Sequence, residues 1–192
     1  AQAELLAGDL AGARRRLETM LARLEASGVP VSLMQGYLHG MLGELAALRG
    51  DRAALAAAYG EADVLRESDD PADVGCYRWL GLLADRFAGE QVAGPLADSV
   101  AQAFSMVGAH HEWFRWIYPD ALATARSEGR DDVTTQLLTL VEERPAGAFP
   151  PFVRAQAARY RGLHSADSGD LAGAEAPLAS AIGEFERMAF PY

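Results

Sequence analysis

Lysine is missing from the 192 residues, and all 17 basic side chains are arginine. A phosphate-binding loop built on a lysine is therefore excluded, and so is a lysine Schiff base. Cysteine occurs once, at Cys76, so no intramolecular disulfide can form. With no activating motif around it, Cys76 is expected to be a small buried apolar side chain. No run of 18 apolar residues occurs, which argues against a membrane helix and predicts no membrane partner. The N-terminal stretch mixes charged and apolar residues and lacks the layout of a secretion signal, so a cytoplasmic setting is expected. Positive charge is also short, with 17 basic against 27 acidic residues and a net charge of −10. A nucleic-acid surface needs a basic field to displace counterions, so no nucleic-acid partner is expected. No segment shows the period-two alternation of β-branched residues that marks a strand.

What is present is repetition. Glycine followed by a charged residue recurs at Gly8-Asp9, Gly50-Asp51, Gly89-Glu90, Gly129-Arg130-Asp131 and Gly169-Asp170, at intervals of 42, 39, 40 and 40 residues. Glycine permits the left-handed backbone that ends a helix. An acidic residue just after it suits the next helix start, where orphan N–H groups and the positive dipole end lie. The predicted unit is helix, tight turn, helix.

The segments between glycines carry apolar residues at three-to-four spacing. Leu10, Ala13, Leu17, Met20, Leu21 and Leu24 form one stripe, and Leu171, Ala174, Leu178, Ala181, Ile182 and Phe185 another. First helices of the units are predicted over 1–7, 31–49, 73–88, 111–128 and 151–168. Second helices are predicted over 9–27, 51–68, 90–107, 130–143 and 170–188. Pro119 and Pro177 interrupt predicted helices, and each should kink its helix or shift its start. The expected fold class is all-α: one helical-repeat domain over 1–192, a right-handed α-solenoid of antiparallel helix pairs, each sealing its neighbour's apolar face. Both ends are expected to fall inside a longer array within a larger multidomain protein.

Catalytic signatures are absent. There is no His-Glu-x-x-His, Gly-x-Ser-x-Gly, Cys-x-x-Cys or calcium loop. His110-His111-Glu112 has metal-ligand types, but helix neighbours point about 100° apart and converge poorly on one ion. A helix start is the expected role. His164, Ser165 and Asp167 have the residue types of a triad in an arrangement that sequence neighbours do not build. The acidic run from Glu61 to Asp73 reads as a solvated loop and helix end. The segment Trp113-Phe114-Arg115-Trp116-Ile117-Tyr118 stands out, and it leaves two readings open. Its rings either fill the core between units, or take a mixed role with one ring in a binding groove.

The last unit contains Arg159-Tyr160-Arg161-Gly162-Leu163, Gly169-Asp170-Leu171-Ala172-Gly173-Ala174, Leu178, Ala181-Ile182 and Phe185-Glu186-Arg187-Met188. It resembles the tetratricopeptide-like repeats of large bacterial signal-transduction ATPases, namely MalT-like LuxR-type regulators and ATPase-linked adenylate cyclases. The first unit has the same turn, Gly8-Asp9-Leu10-Ala11-Gly12-Ala13. Small residues that the family places where helices touch fall on Gly43, Gly81 and Gly162 in the first helices, with Leu122 in the fourth unit. In the second helices they fall on Ala13 and Ala174, with Leu55 in the second unit. The aromatic typical of the first helix is missing from most units, and the spacing exceeds the usual repeat.

The resemblance implies a non-catalytic, cofactor-free and metal-free scaffold in a bacterial signalling or transcriptional regulator. Its partner would be a protein, a peptide or a neighbouring domain held in the concave groove. The alternative implied function is a small-molecule sensor controlling an attached ATPase, cyclase or DNA-binding domain. Counting from the small residue and the turn glycine places groove positions on Tyr37 and Glu44, Arg78 and Asp85, Trp116 and Arg126, and Gln156 and Arg159. The binding candidates are Tyr37, Arg78, Trp116, Arg126 and Arg159.

Overall fold

The computed structural model describes residues 8–28, 33–145 and 147–189. Among these there are nine α-helices, one 3-10 helix and no strand. The helices are α1 (Leu10–Ala26), α2 (Leu33–Leu48), α3 (Arg52–Glu61), α4 (Pro71–Ala88), α5 (Ala93–Met106), α6 (Glu112–Ser127), α7 (Asp131–Glu142), α8 (Pro151–Asp167) and α9 (Leu171–Arg187). The chain is all-α, and it divides into two compact units, 1–90 and 91–192. The predicted helix over 1–7 lies outside the described residues.

The turn glycines behave as their spacing predicts. Gly8, Gly50, Gly89, Gly129 and Gly169 all adopt positive φ, between 66° and 98°. Four of the helices close with a backbone bond from the second residue past the last turn: Asp51 to Ala46, Glu90 to Asp85, Arg130 to Ala125 and Asp170 to Ser165, at 2.8–3.1 Å. This bond satisfies a carbonyl the helix leaves unpaired. Three Gly-Asp turns then open the next helix by side-chain capping. Asp9, Asp51 and Asp170 accept from the N–H of Gly12, Ala54 and Gly173 at 2.8, 3.0 and 2.8 Å.

Two expectations need correction, and one open alternative is decided. The helix predicted over 51–68 breaks after Glu61 into a 3-10 turn, Ala62–Glu67, which brings Val64 and Leu65 against Gly36 of α2. The helix predicted from 90 begins at Ala93, after three residues of non-helical chain, and Pro95 falls in its first turn, where proline is tolerated. Pro119 and Pro177 shift no helix start, because α6 and α9 run through them.

In the unit 1–90, Ala13, Leu17 and Leu21 of α1 pack on Leu38 and Leu45 of α2. Leu55, Leu65, Leu80 and Leu83 are also buried. Met20, expected in the α1 stripe, is exposed.

In the unit 91–192, α6 forms the centre. Phe114, Ile117, Tyr118, Ala121 and Leu122 on it are inaccessible to solvent. Phe114 lies 5.6 Å from Tyr118, 5.9 Å from Phe104 of α5 and 5.8 Å from Phe149 in the α7–α8 connection. The Tyr118 hydroxyl donates to the Leu137 carbonyl of α7 at 3.2 Å, and burial pushes its phenol well above the ordinary tyrosine value. Between α8 and α9, Gly162 permits the close approach. A Cβ there would lie 2.5 Å from Leu178 Cγ and 3.0 Å from the Ala174 carbonyl oxygen. Ala155, Ala181 and Phe185 complete that interface, while Leu171 and Ile182 of the predicted α9 stripe stay exposed.

Candidate functional site

The candidates in the first unit, Tyr37 and Arg78, stand on α2 and α4. Tyr37 on α2 is half-buried; burial first, and then the Asp73 carboxylate, push its phenol up. Asp73 is itself buried and accepts the Ser68 hydroxyl at 2.5 Å. The acidic run is thus not wholly solvated, because its last member is a structural acceptor in the first turn of α4. Glu44, placed in the groove by its register, is buried instead. Arg78 and Asp85 are exposed on α4. A separate cleft of about 260 Å³ in this unit has an apolar floor of Leu42, Leu45, Ala54, Ala57 and Ala58. None of the five candidates lines it.

The second unit brings two candidates together. A cleft of about 430 Å³ is lined by Ala123, Arg126 and Ser127 of α6, Asp131 and Thr134 of α7, and Arg159, Tyr160, Leu163, His164 and Asp167 of α8. The α8 residues recur at three-to-four spacing, so one helix face forms a wall. The last turn of α6 stands opposite, and the first turn of α7 closes the end. Arg126 grips Asp167 by two parallel bonds, Nε to Oδ2 at 2.5 Å and Nη2 to Oδ1 at 3.0 Å. This fork holds the Asp167 carboxyl below its ordinary value. His164 Nδ1 lies 3.5 Å from Asp131 Oδ1. Arg159 makes weaker contacts: its Nη1 is 3.5 Å from Gln156 Oε1, and its guanidinium lies 5.1 Å from the Tyr160 ring centre. The Tyr160 phenol is raised mainly by burial.

Trp116 does not line this cleft. Within the aromatic segment Trp113, Phe114 and Tyr118 are buried and Trp116 is half-buried. That is three rings in the core and one partly accessible. Trp116 nonetheless shares a face of α6 with Ala123 and Ser127, seven and eleven residues further on.

The histidine pair marks a helix start. His111 is the N-cap of α6, and its Nδ1 accepts from the Trp113 N–H at 3.2 Å. Among the described residues no group of three or more histidine, cysteine, aspartate or glutamate side chains could hold a metal ion. Cys76 is buried in α4. No helix among them is long and apolar enough to cross a membrane.

Asp131, Tyr160, His164 and Asp167 were not among the candidates. His164 and Asp167 draw notice in the sequence only as neighbours of Ser165, yet each pairs with a different helix. The usable signal is the stripe Arg159, Leu163 and Asp167, whose period puts all three on one face of α8. With two guanidinium groups, two carboxylates and an imidazole around a concave surface, the arrangement can hold charged groups. No family model, curated protein or solved structure matches the chain.

Proposed function

We propose that the chain is a non-catalytic helical-repeat module that holds a protein or peptide segment, with the α6–α7–α8 cleft as its contact surface. The carrying observation is that Arg126 and Arg159, from two first-position helices about one repeat apart, line the same concavity. Arginine and tyrosine are enriched among the side chains that anchor partners, because they combine apolar area with directional donors. The recurrent glycine turns, the aspartate caps on three of them and the close α8–α9 approach at Gly162 support a tetratricopeptide-like solenoid. On that reading the module serves a bacterial signalling or transcriptional regulator.

A photo-crosslinking amino acid at Leu163, inside the cleft, tests this against one at exposed Ala101 on α5. Capture of a defined protein only from position 163 is expected. That protein, purified, should bind wild-type chain more tightly than the Arg126→Ala, Arg159→Ala double variant. Equal crosslinking from both positions would refute the assignment.

A sensor of a small polar ligand is the second reading. The cleft volume favours it, falling within the roughly 300–1,000 Å³ typical of small-molecule sites.

A further inference from the structure

The charges of the cleft are not evenly spread. Arg159 and Asp167 occupy the two ends of the α8 wall, eight residues and about 12 Å apart at helical rise. At the Asp167 end, Arg126 is matched by Asp167, and Asp131 adds a second carboxylate beside His164. Counting the arginine and aspartate side chains of the lining, that end carries one carboxylate in excess. Asp131 is largely exposed, at 83% of its side chain, so it can be reached. At the other end Arg159 contacts Gln156 Oε1 and the Tyr160 ring, and it also bears on the Tyr160 phenol. Asp120 of α6 bears on the same phenol and lies outside the lining. The cleft is thus a dipole, positive at Arg159 and negative at Asp131, with Tyr160 and Leu163 giving an apolar floor between.

We propose that the cleft takes a short extended peptide segment with an acidic and a basic side chain two residues apart, the acid against Arg159 and the base against Asp131. Asp131 stands beside His164, five residues and about 7.5 Å along α8 from Arg159; an extended chain advances about 3.3 Å per residue and turns alternate side chains to one face, so two steps bring both charges to the cleft. Guanidinium recognises carboxylate by a two-point fork, and Asp131 accepts from an arginine or lysine of the segment. Single-sign segments meet a like charge at one end. This inference rests on the cleft-docking reading and specifies the chemistry of its partner.

The test uses the chain with isotope-labelled histidine and backbone. It is titrated with four capped tripeptides: Glu-Ala-Arg, Arg-Ala-Glu, Glu-Ala-Glu and Arg-Ala-Arg. The His164 imidazole and the amides of 159–167 report from inside the cleft. At least one dipolar peptide should move them with a Kd on the order of 1 mM. It should bind about threefold tighter than either single-sign peptide, the size of an exposed ion pair. Arg159→Ala should erase that preference without changing the melting midpoint, and Asp131→Asn should erase it with a small fall in midpoint, because it removes a first-turn charge of α7. A single-sign peptide that binds as tightly as the dipolar ones would overturn the charge pattern and leave cleft docking standing. Absence of any shift in the cleft with all four peptides would also overturn it, and position-163 crosslinking would then decide the docking reading separately.

Discussion

Glu128, the C-cap of α6, offers the sharpest test of how the second unit is held together. Its carboxylate reaches back 36 residues to the start of α5 and accepts from the N–H of Val92 at 2.8 Å and of Ala93 at 3.1 Å. Helix α5 has no side-chain cap of its own, because its N-cap is Val92. Both N–H groups belong to residues no more than 3% exposed, so water can replace the lost acceptor only in part. Glu128→Ala leaves two donors short of a partner, at roughly 1–3 kcal/mol each, and removes a negative charge from a helix N-terminus, at roughly 0.3–1 kcal/mol. Partial hydration offsets some of this, and a loss of about 2–4 kcal/mol is expected. For a unit of this size each kcal/mol lowers the melting midpoint by about 4–8 °C. Glu128→Gln keeps an acceptor without the charge and should lose about half as much. Urea denaturation gives the total. Hydrogen exchange by mass spectrometry localises it, with amides of 92–106 losing protection first. A Glu128→Ala chain within about 0.5 kcal/mol of the parent, with exchange of 92–96 unchanged, would refute the capping argument.

Two glycines give opposite outcomes for the same substitution. Gly162→Ala forces Leu178 and the α9 backbone away and should destabilise by about 1–3 kcal/mol, whereas Gly183→Ala meets nothing within 4 Å and should stabilise by about 0.5–1 kcal/mol, both read from urea midpoints. Arg126 holds the Asp167 carboxyl below its ordinary value of 3.8. The pair therefore stabilises the fold fully above that value, and the contribution is lost as acid protonates the folded carboxyl. Asp167→Asn should flatten the acid limb of melting midpoint against pH below about pH 4, and an unchanged limb would refute the pairing. His111→Ala should cost about 1 kcal/mol by removing the α6 cap, and His111→Asp should restore it, with loss and recovery both visible in the urea midpoint.

Much of the fold is readable from local spacing, because helix starts and stops depend on residues within five of each other. Gly169 and Asp170 act on Ser165 and Gly173, all inside one short window. The 3-10 turn at Ala62–Glu67 was not readable, since nothing in its own residues announces the meeting with Gly36, 28 residues earlier. The late start of α5 had a local signal in Pro95, but its cap comes from Glu128. The cleft follows the same division. Arg126 and Arg159 were placed by counting along repeats, whereas Asp167 gained its role from a partner 41 residues away. Tyr37 shows the converse. Its register points to the groove, and the carboxylate that bears on its phenol, Asp73, lies 36 residues away in the chain, beyond any local signal.

The connection from α7 to α8 is anchored by a ring. Phe149 is nearly inaccessible, lying 5.4 Å from Phe104 and 5.8 Å from Phe114, while Arg144 covers the Phe104 face at 4.6 Å. Swinging that linker outward draws an aromatic plug from the core at about 2–3 kcal/mol. A rearrangement of the second unit that keeps the ring seated therefore carries α7 and α8 together, as one block.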